Sequence, residues 1–309
     1  MNLNLKKSKQ IISRLTPFIG IVLFVLIARK INFSYYLHEL PPINWWLILA
    51  APALMALMLL IKSWRWRMIL KKQGIAYSFK RSLGLYLMGI YFGAITPSRV
   101  GELGKIYYLK KDQRSLTDSS IVTILDKIID FGFVLVFGLA GLALYHKYFQ
   151  LNTYFMAGGL TVLIIVLASL YYVKSYLPKL HEKISQAKQK FKSTILNYHF
   201  SDYLSILIST IISWLIYFMI AYVLGRSIGL EINFWYVALV MNLASLASIL
   251  PISIMGLGTR ESVFIFFYLI QGANKEMAVA VSMLIFLNNL LPVIAGFIIW
   301  LMKNKRVAV

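Results

Sequence analysis

Long apolar segments dominate this chain, and short basic clusters separate them. Five segments reach or approach the about 20 apolar residues that a helix needs to cross a membrane. They are Trp45 to Ile61, Ile121 to Tyr145, Tyr154 to Val173, Tyr203 to Leu224 and Ala278 to Met302. A further apolar stretch near the N-terminus follows a basic region and lacks a small-residue cleavage pattern, which favours an uncleaved first helix. The pattern predicts an all-α polytopic membrane protein with about six full spans.

Two other apolar segments are interrupted by polar residues. The apolar run from Ser82 to Ala94 would form a helix only about 20 Å long, and it leads directly into TPSRVGELGK. Basic clusters lie on both sides of this region, so the chain must leave one face and return to it. We therefore predict a re-entrant helical hairpin with Pro97 near its tip, sheltered by protein or a polar cavity.

The second interrupted segment runs from Phe234 to Gln271 and contains SILPISIMGLGTRE, with Pro251 near the predicted tip. Pro97 and Pro251 lie about half the chain apart, and the two hairpins would enter from opposite faces. Broken helices at corresponding places in two halves are typical of inverted-repeat transporters with a site near the membrane midplane. The sequence therefore favours an inverted repeat.

The distribution of charge predicts the orientation. The chain has 32 Lys and Arg against 11 Asp and Glu, a net charge of +21. Because the basic residues lie in clusters beside apolar spans, they are typical of a membrane protein with a positive cytoplasmic side, and nucleic-acid binding is not expected. We expect both termini, the basic cluster at residues 62–81 and a basic connector at residues 174–202 to be cytoplasmic in a bacterial inner membrane. Residues 1–309 are predicted to form one domain.

Charged residues within apolar surroundings are the candidate site, because burying a charge in a bilayer costs about 2.5–3.5 kcal/mol on insertion scales. The candidates for substrate binding are Arg99, Glu102, Asp126, Lys127, Asp130, Gly256, Gly258, Arg260 and Glu261. Arginines, helix N-termini and glycines that admit close approach would suit a lipid phosphate. The two aspartates could hold a cation or pair with Arg99 or Arg260. The same charges could instead form ion pairs that pin the hairpins, and Lys105 could extend to the inner surface.

Catalytic chemistry is not expected. The four histidines show no metal-ligand spacing, and no phosphate-binding or dinucleotide motif follows a strand. The chain has no cysteine, which excludes disulfides and thiolate metal sites. We predict a protein that is not an enzyme and needs no cofactor.

Three stretches resemble the lysylphosphatidylglycerol synthase transmembrane-region family. They are TPSRVGELGKIYYLKK, ILDKIIDFGFVLV and the segment from Leu250 to Trp300. The resemblance implies a flippase-like membrane domain, here without the soluble synthase or glycosyltransferase domain of multidomain members. Where the family usually has Glu-Arg-x-x-Asp, this chain has Asp126-Lys127-x-x-Asp130, and lysine lacks the bidentate fork of arginine.

Three hypotheses follow for function. The first is a flippase that moves an anionic phospholipid or a polyprenyl-phosphate-linked lipid between leaflets. The second is a non-transporting membrane partner that presents such a lipid to a separate lipid-modifying enzyme. The third is an ion-coupled carrier of a small anion, using Asp126 and Asp130. The sequence does not identify the lipid or the oligomeric state.

Overall fold

The computed structural model describes residues 41–112, 115–144, 198–248 and 255–305, together with positions 25–27, 29, 189 and 253. Every regular element within these ranges is helical. The α-helices are α1 (Trp45–Lys72), α2 (Phe79–Ala94), α3 (Gly104–Lys111), α4 (Leu116–Leu144), α5 (Phe200–Ser227), α6 (Phe234–Ala247), α7 (Thr259–Ile270) and α8 (Lys275–Lys305). A 3₁₀ helix, Pro97–Leu103, lies between α2 and α3.

Local sequence explains where several helices begin. The side chain of Asn44 accepts hydrogen bonds from the amides of Trp46 and Leu47 and so caps α1. Asn233 caps α6 and Ser78 caps α2 in the same manner. Each cap satisfies backbone N–H groups that the first turn of a helix leaves free.

The helices occur in the same order twice. Each half has a long helix, a hairpin of two shorter helices and a second long helix: α1, α2–α3, α4 and then α5, α6–α7, α8. The connections also match, since residues 73–78 and 228–233 precede the hairpins and residues 112–115 and 271–274 follow them. Counted from the helix starts, residue 45 corresponds to residue 200 and residue 79 to residue 234, the same offset in both cases.

The two halves run in opposite directions. Lys72, at the end of α1, forms a salt bridge with Asp202 at the start of α5. At the other ends of these helices, the Asn44 amide donates to the Ser227 carbonyl at 2.8 Å. Corresponding helices are therefore antiparallel, as an inverted repeat requires.

Close contacts between the halves repeat as well. In α8, Gly296 lies against the backbone of Leu87 in α2 so tightly that an added Cβ would collide with the Leu87 carbonyl. In the other half, Gly138 of α4 lies against Asn242 of α6, where a Cβ would come within 2.8 Å of the side-chain nitrogen. Leu87 and Asn242 are equivalent positions, so α2 packs on α8 as α6 packs on α4.

The lengths of the helices separate spans from hairpins. Within the described ranges, α1, α5 and α8 combine the length and hydropathy of a membrane span. Helix α4 is equally long but carries three charged residues in its middle. The longest hairpin helix, α2, has 16 residues and extends about 24 Å, which is short of the hydrocarbon thickness.

These observations confirm the predicted all-α polytopic architecture. Four of the six expected spans correspond to α1, α4, α5 and α8. The expected span Tyr154 to Val173, the basic connector except for its final residues, and Pro251 lie outside the described residues, as does most of the first helix.

Candidate functional site

A cavity of about 350 Å³ lies in the middle of the bundle, where both hairpin tips meet the long helices. Its charged wall residues are Lys62, Arg99, Glu102, Lys127, Asp130 and Arg260. Other polar groups in the wall include Tyr86, Ser245, Ser248 and Asn289, and aromatic, methionine and aliphatic side chains form the remainder. The cavity thus brings together five of the nine candidate site residues.

One side of the cavity is closed by a buried network around Arg65. The Arg65 side chain is fully buried and donates to Asp126 at 2.7 Å and to Asp130 at 2.9 Å. It also donates to the Thr210 hydroxyl at 2.9 Å. Lys62, one turn earlier on α1, donates to the other oxygen of Asp130 at 3.0 Å. Because i and i+3 positions share a helix face, α1 presents two cations to two acids on α4.

This network corrects the expected partners of the aspartates. Asp130 accepts from Arg65, Lys62 and the Trp214 indole, while Asp126 accepts from Arg65 and Lys105. Neither acid pairs with Arg99 or Arg260 in this structure. No cluster of acidic or histidine side chains suited to a metal ion occurs among the residues described. The protein's own cations already occupy the pair that was expected to hold a cation.

Lys105 belongs to the same network and does not reach the inner surface. Its side chain is 2% exposed, and its ammonium lies 3.3 Å from Asp126. The ammonium also lies 4.8 Å from the Trp66 ring centre and 4.7 Å from that of Tyr86. Salt bridge and cation–π contacts replace the water that a buried lysine loses. Lys105 is therefore a structural member of the bundle.

The tip of the first hairpin carries Arg99 and Glu102. Glu102 is buried and forms a salt bridge with Lys127 of α4. Arg99 also lines the cavity, but its side chain is exposed, and it forms no salt bridge with any residue that the structure describes. Arg99 is thus a cavity cation whose charge is available to a ligand.

The tip of the second hairpin carries Arg260 and Glu261. Arg260 lines the cavity and is anchored by hydrogen bonds to Ser282 at 2.7 Å and to Glu261 at 2.9 Å. Glu261 is fully buried behind it and accepts from the Gly258 amide at 2.6 Å. A carboxylate therefore already caps the N-terminus of α7. This N-terminus, which the sequence suggested as an anion site, is thus occupied by the protein's own carboxylate.

The glycines of the second hairpin shape its backbone and do not line the cavity. Gly256 and Gly258 have φ values of 77° and 80°, in the region that residues with a side chain rarely adopt. A Cβ on Gly256 would come within 2.6 Å of the Ser248 hydroxyl. Local conformation and packing account for both glycines without a ligand.

The structure therefore divides the nine candidates. Arg99, Glu102, Lys127, Asp130 and Arg260 line the cavity, whereas Asp126, Gly256, Gly258 and Glu261 lie behind its wall. Sequence reasoning missed Lys62 and Arg65, because both were counted with the basic cluster at the cytoplasmic surface. The available signal was their spacing, which places them on one face of a helix as Asp126 and Asp130 are placed on theirs.

Basic helix ends gather on one face of the bundle. Lys72 and Asp202 are paired there, and Arg81 lies 2.5 Å from Asp112. The Lys303 ammonium lies 4.7 Å from the Tyr108 ring centre on the same face. The ends of α1, α3 and α8 and the starts of α2 and α5 thus share this face.

Comparison with known proteins agrees with this architecture. A relative of similar length is the UPF0104 membrane protein MJ1595 of Methanocaldococcus jannaschii, which is 24% identical over 289 residues and is matched over 84% of this chain and 85% of its own length. No solved structure matches the chain. The model of the lysylphosphatidylglycerol synthase transmembrane region matches residues 12–296, which include both hairpins, the buried network and the cavity wall. The chain is a multi-pass membrane protein that belongs to the lysylphosphatidylglycerol synthase transmembrane-region family.

Proposed function

We propose that the protein moves an anionic lipid between the two leaflets, with the phosphate of the headgroup in the central cavity and the hydrocarbon chains in the bilayer. The lipid is an anionic phospholipid or a polyprenyl-phosphate-linked lipid, since both present a phosphate to the protein. The proposal contains no catalytic step and no cofactor.

The charge of the cavity wall carries the proposal. Its charged residues are four cations, Lys62, Arg99, Lys127 and Arg260, and two anions, Glu102 and Asp130, so the wall has two positive charges in excess. A low-dielectric cavity strengthens attraction to a phosphate. Arginine can contact phosphate through two parallel N–H groups, and Arg99 has that capacity free of any described salt bridge.

The inverted repeat supports movement rather than static binding. Two antiparallel halves meet at a site in the middle of the bundle, which is the arrangement used by transporters that expose one site alternately to each side. The cavity is formed by hairpin tips from both halves, so relative motion of the halves would change its access.

We further propose that the protein lies in the cytoplasmic membrane of a bacterium with both termini on the cytoplasmic side. The basic face formed by the ends of α1, α3 and α8 supports this orientation, because cytoplasmic loops carry an excess of Lys and Arg. Single-cysteine labelling from each side of sealed vesicles tests it, since the native chain has no cysteine.

Reconstituted vesicles test the transport proposal. Fluorescent phosphatidylglycerol, a fluorescent polyprenyl phosphate and neutral phosphatidylcholine would be compared by bleaching of the outer leaflet with dithionite. We expect one of the anionic lipids to move faster than in empty vesicles, and Arg99→Ala to slow it at least tenfold. Arg226→Ala is the matched control, because Arg226 is a partly exposed arginine at the distal end of α5.

Equal rates with and without protein for both anionic lipids would overturn the proposal. If the purified protein nevertheless bound the lipid in native mass spectrometry, presentation of the lipid to a separate enzyme would be the better explanation. Equal rates for Arg99→Ala and wild type would overturn the assignment of the phosphate site.

A further inference from the structure

An apolar groove lies beside the polar cavity, between α1, α2 and α8. Its volume is about 280 Å³. Apolar side chains line it, among them Pro52 and Ala56 of α1, Leu83 of α2 and Ala295 of α8. Pro52, Ala56 and Leu291 in its wall are exposed, so the groove opens to the outside of the bundle. In a membrane protein this outside is lipid hydrocarbon.

Only a thin wall separates the groove from the cavity. Met55, Leu59 and Pro292 line both spaces. These three side chains therefore have one surface toward the charged cavity and another toward the groove. A molecule with a charged group in the cavity and a hydrocarbon chain in the groove would be continuous across this wall.

The walls of the groove contain the interior prolines of two long helices. Pro52 interrupts α1 and Pro292 interrupts α8. A proline inside a helix removes a backbone hydrogen bond and allows a bend at that point. The two helices that border the groove can therefore bend where the groove meets the cavity.

Among the described residues, the equivalent interface of the other half, between α5 and α4, is packed with larger side chains. The position equivalent to Leu59 is Trp214, which stacks on Phe133 of α4 with ring centres 5.8 Å apart. Phe133 also stacks on Phe137, and Phe137 packs on Phe218. Large aromatic side chains thus fill the interface that corresponds to the groove. Small and aliphatic side chains at one interface and aromatic side chains at its described equivalent indicate a functional difference between them.

We propose that this groove holds one hydrocarbon chain of the lipid whose phosphate occupies the cavity, so that the lipid enters sideways between α1 and α8. This inference rests on the proposed phosphate site. It assigns the entry route to one interface, and it defines the substrate as a molecule with both a phosphate and a hydrocarbon chain. A free phosphate has no hydrocarbon chain and would leave the groove empty.

Chain-specific crosslinking of the full-length protein in detergent tests the inference. The probe is phosphatidylglycerol with a diazirine in one acyl chain, and the comparison probe is diacylglycerol with the same labelled chain. After irradiation, mass spectrometry maps the label on residues 52–60, 83–87 and 291–295. We expect these segments to carry at least five times more label with phosphatidylglycerol than with diacylglycerol, and Arg99→Ala to remove the difference.

Variants that fill the groove provide the second measurement. Ala295→Trp on α8 and Ala56→Phe on α1 are expected to reduce groove labelling at least fivefold. Ile298→Trp is the matched control, because Ile298 is on the same helix, 49% exposed and outside the groove. Two filling variants on different helices guard against a folding defect in one of them.

Equal labelling by both probes, or labelling that the filling variants leave unchanged, would overturn the inference and would indicate ordinary surrounding lipid. This result is independent of transport. If groove labelling depends on the headgroup but no lipid moves in vesicles, binding of the chain in the groove is supported and the transport function is wrong. If the lipid moves but the groove is labelled no more than the rest of α8, binding of the chain in the groove is wrong and the transport function is supported.

Discussion

Arg99 and Met255 lie at the tips of the two hairpins, and both have left-handed backbone conformations, with φ of 56° and 53°. They are the non-glycine residues with positive φ among those the structure describes, and both line the cavity. Such a conformation costs on the order of 1–3 kcal/mol and is concentrated at functional sites. A strained backbone therefore occurs at the tip of each hairpin, at the surface of the proposed phosphate site.

Strain at Met255 predicts that a glycine variant is more stable than a valine variant at this position. Met255→Gly should be at least as stable as wild type, because glycine adopts positive φ readily, whereas Met255→Val should be less stable by at least about 1 kcal/mol. Thermal unfolding in detergent, followed by tryptophan fluorescence, measures both. At Met219, within α5, the order should reverse, because glycine is the poorer helix former. If Met255→Val were more stable than Met255→Gly, the backbone at Met255 would not be strained.

The buried network predicts a large loss of stability when one acid is removed. Asp126→Ala removes one of the two acids that pair with Arg65 and the acid that pairs with Lys105. Breaking a buried ion pair in this way costs about 3–5 kcal/mol of stability. Glu231→Ala is the control, since Glu231 is 84% exposed and pairs only loosely with Arg226. Thermal unfolding should separate the two variants clearly. Equal midpoints would contradict a structural role for the network.

Opposite changes to the Glu102–Lys127 pair should have opposite effects on anion binding. Glu102→Gln raises the excess positive charge of the cavity by one, and Lys127→Gln lowers it by one. We expect Glu102→Gln to strengthen and Lys127→Gln to weaken binding of phosphatidylglycerol, each by a factor of about 3–10. The reason is that an interaction between two charges in partial contact with solvent contributes about 1 kcal/mol. Native mass spectrometry of the delipidated protein measures the order. A change in the same direction for both would indicate altered folding instead.

The close contact between α8 and α2 predicts a sharp difference between two glycines. Gly296→Ala places a methyl group against the Leu87 carbonyl, and backbone cannot yield as a flexible side chain does. We expect it to cost about 1–3 kcal/mol, as overpacking does. Gly132→Ala in α4 meets nothing within 4 Å and should be neutral or stabilising by up to about 1 kcal/mol. Similar unfolding midpoints for the two variants would contradict the packing of α8 on α2.

Asp112 predicts a pH dependence at the basic face. Burial alone would raise the pKa of this carboxyl, but hydrogen bonds from Tyr77 at 2.6 Å and from Arg81 outweigh it, so the pKa lies below its ordinary value. Because the pKa is lower in the folded protein, the charged carboxylate stabilises the fold at pH values above the unfolded pKa near 3.8. This stabilisation disappears as the pH falls through the lower pKa of the folded protein.

Asp112→Asn should therefore be less stable than wild type at pH 7, by less than about 1 kcal/mol because Arg81 is half exposed. The difference should shrink as the pH is lowered below 4. Unfolding midpoints of both proteins between pH 3 and pH 7 measure it. A difference that stays constant over this range would show that the charge of Asp112 is not responsible.

Local sequence was sufficient to predict the four long helices and the two hairpins in the part of the chain that the structure describes. Apolar length identifies α1, α5 and α8, and the lengths on either side of the TPSRVGE motif forbid a full crossing. The network around Arg65 could not be predicted in this way. Its partner Asp126 lies 61 residues away, and within KSWRWRMILKK nothing distinguishes a buried arginine from one at the membrane surface. Only packing of α1 against α4 decides which side of the helix faces protein.

The free helix N-terminus expected in the second hairpin differs from the structure for a related reason. GLGTRE suggests a free helix N-terminus, but the carboxylate three residues after Gly258 turns back onto its amide. The choice between an anion site and a self-capped helix depends on one side-chain rotamer. The sequence pattern is compatible with both, and the hydrogen bond that the Ser282 hydroxyl of α8 donates to Glu261 favours the second.

The antiparallel pairing of α1 with α5 implies a second conformation of the chain, which has not been observed. Each half has its own conformation here, and exchanging the two conformations between the halves would generate a second shape of the same chain. In that shape, Trp214 and Phe133 would separate while the α1–α8 interface closed. Under the proposed transport function, this second shape would expose the cavity at the interface between Trp214 and Phe133.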